Sequence, residues 1–286
     1  MIRSFMWAVR RELWESRWLY LAPLSMAAVI VVGFTAYAFR LPAQMSAIAS
    51  LDILHQRRAI VEPYDTVAAL MMVAGLLFGI IYCVDALYGE RRDRSVLLWK
   101  SLPVSDAMTV LAKLSIPVVL LPLIVWAITV AVYVLMLVIS TAILAAHGQG
   151  AAVLWTQCRL LPTALSLLYH LIALHGLSAA PIYGWLLLMS AWAPRAPFLW
   201  AFVPPVGVAF LERMAFGTIR FVGLVFSRLS GGLGTMQPPP GGTLMDSMAL
   251  LPLSQFVVAP ALWGGFAITA LLVAGAVRLR RSAQPI

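Results

Sequence analysis

Long apolar runs alternate with short polar clusters along this chain. Residues 19–39 form the first apolar run, which stops at Arg40. A polar stretch at 40–65, carrying Arg57, Arg58, Glu62 and Asp65, precedes a second run at 66–87. A charged segment at 88–113 follows, then 33 largely apolar residues from 114 to 146. At 1.5 Å per residue this third run exceeds one bilayer thickness. It must tilt, kink near Pro117 or Pro122, or continue along a surface. A more polar segment at 147–159 leads to a fourth run, 160–193, with Pro181 inside it. The turn APRAP at 193–197 opens a fifth, 198–211, interrupted by Pro204 and Pro205 and ended by Glu212 and Arg213. That run is short for a straight span. It predicts either a kinked span reaching toward Gly217 or a re-entrant segment, which needs protein or water beside it. Residues 214–230 alternate bulky apolar groups with Arg220 and Arg228, as a surface helix would. GGLGTMQPPPGG at 231–242 is flexible by composition. The last run, 256–277, ends at Arg278, Arg280 and Arg281.

Ahead of the first run, Ile2, Phe5, Met6, Val9 and Leu13 recur at helical spacing, with Arg3, Arg10, Arg11 and Arg17 largely off that line. Trp7, Trp14 and Trp18 suit the headgroup zone. The pattern predicts a helix over 1–17 that lies in the membrane surface.

Composition agrees. The chain has 286 residues, of which 62% are hydrophobic and 11% charged, against about 25% charged in soluble domains. The expected fold is an all-α integral membrane protein: one domain over 1–286, an N-terminal interfacial helix and six transmembrane helices. The net charge of +9 then reads as orientation rather than nucleic-acid binding, because no basic stripe is interleaved with exposed aromatics. With six spans and both termini inside, thirteen of the Lys and Arg residues fall inside and seven outside, as the positive-inside rule requires. A five-span arrangement would put the basic C-terminus outside. Cys83 and Cys158 lie in separate segments without a His cluster, so neither a disulfide nor a metal site is expected. Glu12 and Glu15, and the lack of a small-residue cleavage site, argue against a removable signal peptide.

The largest inside loop is 88–113, YGERRDRSVLLWKSLPVSDAMTVLAK. Gly89 is placed to break the second span. Residues 90–102 predict a short helix, charged at its start and carrying Leu98 and Trp99 later. Pro103 ends it, since proline disfavours the helical region for its predecessor. Ser105 is a good N-cap for a new helix from Asp106, whose charge suits the positive helix end. Exposed Leu98 and Trp99 need a partner or the membrane surface.

This segment resembles the first cytoplasmic loop of type 2 ABC transporter permeases. The matching residues are Glu90, Arg91, Ser95, Leu97, Leu98, Ser101, Leu102, Pro103, Val104, Ser105 and Lys113. Asp93-Arg94 stands where a Gly-Thr pair is frequent. The layout of surface helix and six spans with both ends inside is similar too. The resemblance implies a permease-like fold and a membrane subunit of an exporter in the bacterial cytoplasmic membrane. It implies a second permease chain, identical or different, and a separate cytosolic ATPase that holds the ATP and Mg. The loop helix would sit in a cleft of that ATPase. Glu90 and the cluster Arg91, Arg92, Asp93 and Arg94 would make polar contacts, with Ser95, Ser101 and Ser105 in the same loop. Leu98, Trp99, Leu102 and Pro103 would supply apolar packing.

The remaining residues point to no chemistry of the chain's own. There is no Walker A pattern, and the only lysines, Lys100 and Lys113, do not follow a glycine. No cofactor and no catalytic residue are expected in this chain. The alternative readings are a multi-span membrane enzyme or a non-transporting assembly or sensing factor. An enzyme would need a nucleophile or paired acids in the apolar core. Asp85 is the carboxylate within a span, and neither His-Glu-x-x-His nor Gly-x-Ser-x-Gly occurs. Asp85 reads equally as a link to the loop or as an interface residue. His170 and His175, five apart, do not share a helix face well and make a weak metal pair. Gly176, Ala179, Ala180 and Gly184, and Gly264 with Gly265, favour close helix packing. Glu212 and Arg213 read as a span-end marker.

Overall fold

The computed structural model describes residues 2–94, 104–230 and 253–282, and every regular element among them is helical. The order begins with α1 (Ile2–Glu15), α2 (Trp18–Ala38), α3 (Leu41–Ala49), α4 (Ile53–Ala86) and α5 (Tyr88–Arg92). It continues with α6 (Asp106–Ser115), a π-helical segment π1 (Ile116–Leu120), α7 (Leu121–Ala146), α8 (Ala152–Cys158) and α9 (Leu160–Tyr169). A second π-helical segment, π2 (His170–Leu177), precedes α10 (Ala180–Trp192), α11 (Pro197–Phe216), α12 (Arg220–Leu229), α13 (Leu253–Val258) and α14 (Pro260–Ser282). Among the described residues, six helical runs are long and apolar enough to cross a membrane: Trp18–Ala38, His55–Arg92, Asp106–Ala146, Ala152–Leu177, Pro197–Phe216 and Pro260–Ser282.

The first, third and last spans fall close to where the apolar runs predict them. The polar stretch at 40–65 does not stay irregular. Pro42 sits in the first turn of α3, where its missing N–H costs nothing. α4 then starts at Ile53, more than two turns before the apolar run. Its Ile60, Val61, Tyr64, Val67 and Ala68 are buried, while Arg58 and Glu62 face outward. The polar residues thus decorate one face of a helix that projects beyond the span. The fifth run extends to a continuous helix of 20 residues with Pro204 and Pro205 inside it, and stops at Gly217, which takes a positive φ of 66°. Only Ala201 of α11 is buried, so nearly all of this helix is left for lipid or another chain. The surface helix expected in 214–230 is α12.

Lipid tails solvate leucine as well as protein does, so helix association in a membrane rests on close packing and on polar contacts. α10 lies at the centre of the bundle, packed on α4 and α14. Its Gly184 lets Leu272 and Thr269 of α14 approach to 3.4 and 3.6 Å of the position a Cβ would take. The expectation of close packing holds at Gly176 and Gly184. Gly265 is shielded by Arg228, whose guanidinium also donates to Ala261 O at 2.6 Å, whereas nothing stands near Gly264.

The third run keeps its excess length in one helical stretch, Asp106–Ala146, interrupted by a π segment. Pro117 lies in π1 and Pro122 opens α7. Pro122 has no N–H to close the α-helical bond to Val118 O. Gly176 of π2 comes against that same carbonyl, so closely that a Cβ there would overlap Val118 O. One α-hydrogen of Gly176 therefore points at the carbonyl, a weak C–H···O contact. The two π segments meet at this point, with His175, Pro117, Pro122 and Tyr183 around a small enclosed void.

Candidate functional site

The two roots of the 88–113 loop converge on a buried network of charges. α4 breaks at Leu87, and the chain resumes as α5, which carries Glu90 inward. Gly89, the expected break point, lies within α5. On the far side of the loop, Ser105 caps α6 by accepting the Met108 N–H at 3.2 Å, as its position predicts. This cap fixes the start of α6 and so the phase of Asp106 and Lys113. Lys113 lies seven residues into the helix, about 10 Å from its start at 1.5 Å per residue. Its side chain is buried, so its ammonium needs carboxylates close by.

It finds two. Lys113 Nζ is 3.0 Å from Glu12 Oε2 of α1 and 3.1 Å from Glu90 Oε1. Arg280, near the end of α14, pairs through Nη1 with Glu90 Oε2 and through Nε with Asp106 Oδ1 at 3.0 Å. Arg11 Nη2 reaches Glu12 Oε1 at 2.8 Å and Glu90 Oε1 at 3.5 Å. Tyr82 of α4 donates its hydroxyl to Glu12 Oε2 at 2.8 Å. Glu12, Glu90, Lys113 and Arg280 are between 2% and 7% exposed, so none is a surface ion pair. Glu12, Glu90 and Asp106 thus stand among Lys113, Arg11 and Arg280, with Glu15 at the edge, 3.6 Å from Arg11 Nε.

Burial alone would push the Glu12 carboxyl up. The Lys113 ammonium, Arg11 and the Tyr82 hydroxyl outweigh it and hold Glu12 below the usual carboxylate range. Glu15, at the rim, is pushed up by burial, with Arg11 opposing. α1 therefore docks through a charged face. Ala8 and Glu12 point into the protein, while Met6, Trp7 and Trp14 are exposed and Arg10 stacks over both indoles, 5.7 and 4.8 Å from their centres.

A second set of contacts stitches the break at Leu87 to α10. Ser190 Oγ accepts the N–H of Leu87 at 3.0 Å and of Tyr88 at 2.9 Å, donors that the break leaves without helical partners. Arg91 Nη2 donates to Ser190 O at 3.0 Å and Ala193 O at 2.5 Å. These carbonyls end α10, where a cation suits the negative end of the helix.

The residues singled out in the loop thus separate into three groups. Glu90 is turned inward: Lys113 and Arg280 take the carboxylate that the resemblance assigns to a rim contact. Arg91 is turned onto α10. Arg92 and Asp93 are exposed and face each other at 3.0 Å, with Asp85, also exposed, 3.7 Å from Arg92. α5 ends at Arg92, where Asp93 N–H bonds Gly89 O at 2.9 Å and Arg94 turns to a positive φ of 58°, and the rest of the helix expected over 90–102 lies outside the described residues. Ser95, Leu98, Trp99, Ser101, Leu102 and Pro103 lie outside the described residues. Asp85 is no deep intramembrane acid. It lines a polar cleft of about 380 Å³ beside the network, between α1 and the α4–α5 junction.

Sequence reasoning missed Glu12, Tyr82, Ser190 and Arg280 as partners of the loop. One signal was present. Lys113 sits between Ala112 and Leu114 at the very start of the third apolar run, and an ionisable group so placed asks for a partner. Nothing local says that the partner is Glu12, 101 positions earlier.

His170 and His175 are buried in π2, with His170 Nδ1 3.0 Å from Ser166 O. Among the described residues no group of three or more His, Cys, Asp or Glu side chains is placed to hold a metal ion. Glu212 is more than a span-end marker. Its two oxygens accept the N–H of Arg220 at 2.7 Å and of Phe221 at 2.8 Å, capping α12, and Oε1 also takes the Thr218 hydroxyl at 2.6 Å.

The chain matches no protein-family model, no curated protein and no solved structure.

Proposed function

We propose that this chain is the membrane-spanning subunit of an ATP-driven transporter, an exporter, worked by a separate ATPase through the 88–113 loop. One observation carries the reading. The buried network joins both roots of that loop to α1 and to the end of α14. A push on the loop would therefore reach the second, third and last spans together through a packed element, which is the physical requirement for coupling distant sites. In this reading the chain sits in the bacterial cytoplasmic membrane with both termini inside. α1 lies along the inner surface, with Trp7 and Trp14 toward the headgroups. A second permease chain, identical or different, covers part of the exposed fifth span.

Two substitutions test the division of labour. Pro103→Ala alters the segment on which, in this reading, the ATPase docks. It is expected to lower the amount of ATPase chain that co-purifies several-fold, with normal membrane insertion. Glu90→Ala removes the hub of the network. It is expected to leave docking closer to normal and to weaken the link between docking and ATP hydrolysis. Unchanged complex yield and unchanged ATPase rate in both variants would sink the assignment of the loop.

A further inference from the structure

An open apolar groove of about 340 Å³ lies between α10, α11 and α14, away from the charge network's polar cleft. Trp185, Trp192, Trp200, Leu188, Met189 and Leu279 line it. Its shape is built in. Trp192 and Trp200 meet edge to face at 4.8 Å, and the Trp185 indole N–H is already spent on Ala201 O at 2.9 Å. The surface that lines the groove is apolar, which suits hydrocarbon. Trp192 and Trp200 remain exposed, so the groove opens sideways toward lipid.

Two arginines flank its lining residues along the chain. Arg195 stands in the turn between α10 and α11, three positions from Trp192, and Arg278 precedes Leu279 on α14; both are exposed. Arg91 also binds the carbonyls at this end of α10, and α10 itself carries no carboxylate. An apolar slot under a pair of exposed guanidinium groups complements one class of molecule. We propose that the groove holds an acyl chain of an anionic phospholipid, with its phosphate held by Arg195 and Arg278. The lipid belongs to the leaflet that meets the α1 end of the protein. It would fill the gap beside α11, of whose residues Ala201 alone is buried.

The test uses the full-length protein in mild detergent, stripped of lipid and titrated with phosphatidylglycerol or phosphatidylcholine of the same acyl chains. Native mass spectrometry counts the lipid retained. The expected result is one phosphatidylglycerol per chain, retained at a concentration on the order of tenfold lower than phosphatidylcholine, since each basic residue near a lipid surface adds a several-fold preference. Arg195→Gln with Arg278→Gln should abolish the preference and leave the fold intact, both side chains being exposed. Leu188→Trp, which fills the slot, should lower retention of both lipids. Equal retention of the two lipids by the wild type would overturn the proposal. So would a phosphatidylglycerol preference that survives the double substitution, or a second copy of the chain held at the groove in place of lipid.

Discussion

Lys113→Met is expected to destabilise the protein by about 3–5 kcal/mol, the usual cost of removing one partner from a buried ion pair. Methionine fills nearly the same volume, so the loss is electrostatic rather than a cavity. Glu12 suffers most. It keeps Arg11 and the Tyr82 hydroxyl but loses its 3.0 Å contact with the ammonium. Glu90 retains Arg280. The variant's thermal unfolding in mild detergent should fall well below the wild type's. Glu12→Gln on the same background should recover part of the loss, because a neutral amide no longer needs a cation, and contacting groups of this kind couple by about 0.5–3 kcal/mol. A Lys113→Met protein as stable as the wild type would mean that the four buried charges are solvated in some other way. The mechanical link drawn between the loop and α1 would then fail.

Gly176→Ala should be the second costly change, although it adds a single methyl group. The added Cβ would occupy the space of Val118 O, a backbone atom that cannot swing aside like a side chain. π1 and π2 would have to separate, and overpacking of this kind costs about 1–3 kcal/mol, occasionally more. Gly264→Ala is the control, since a Cβ there meets nothing within 4 Å. In a helix that substitution is normally neutral or favourable, because alanine loses less backbone freedom than glycine on folding. Equal unfolding temperatures for the two variants would show that the π segments are not in the tight contact described. The position matters for mechanism as well. Single π turns often mark functional sites in helices, and π1 lies in the same span as Lys113.

The apolar runs were sufficient to place most spans, because span length and hydropathy are properties of consecutive residues. The Ser105 cap was legible for the same reason: it depends on four adjacent positions. Where the reading failed, tertiary structure decided. Arg57, Arg58 and Glu62 belong to a stretch legible only as polar, yet they ride on a helix whose other face is buried. Arg280 and Lys113 were counted as markers of orientation. A count of charges cannot see that these two turn back into the protein to meet Glu90. Glu12 lay hidden in a sequence of alternating arginine and glutamate that reads as a solvated surface. Its partner is fixed only when α1 lies against α6. A kink near Pro117 or Pro122 was one of three outcomes open for the third run, and the π segment found there, pressed on a second one, depends on Gly176 from another segment.

Gentle-detergent purification of the tagged chain from its native membrane tests the central claim most directly. The chains that come with it would be identified and ATP hydrolysis assayed. The account expects a near-equimolar partner with a Walker A motif, whose binding weakens in Pro103→Ala. A chain that purifies alone, with no ATP hydrolysis in any detergent that keeps it folded, would contradict the account.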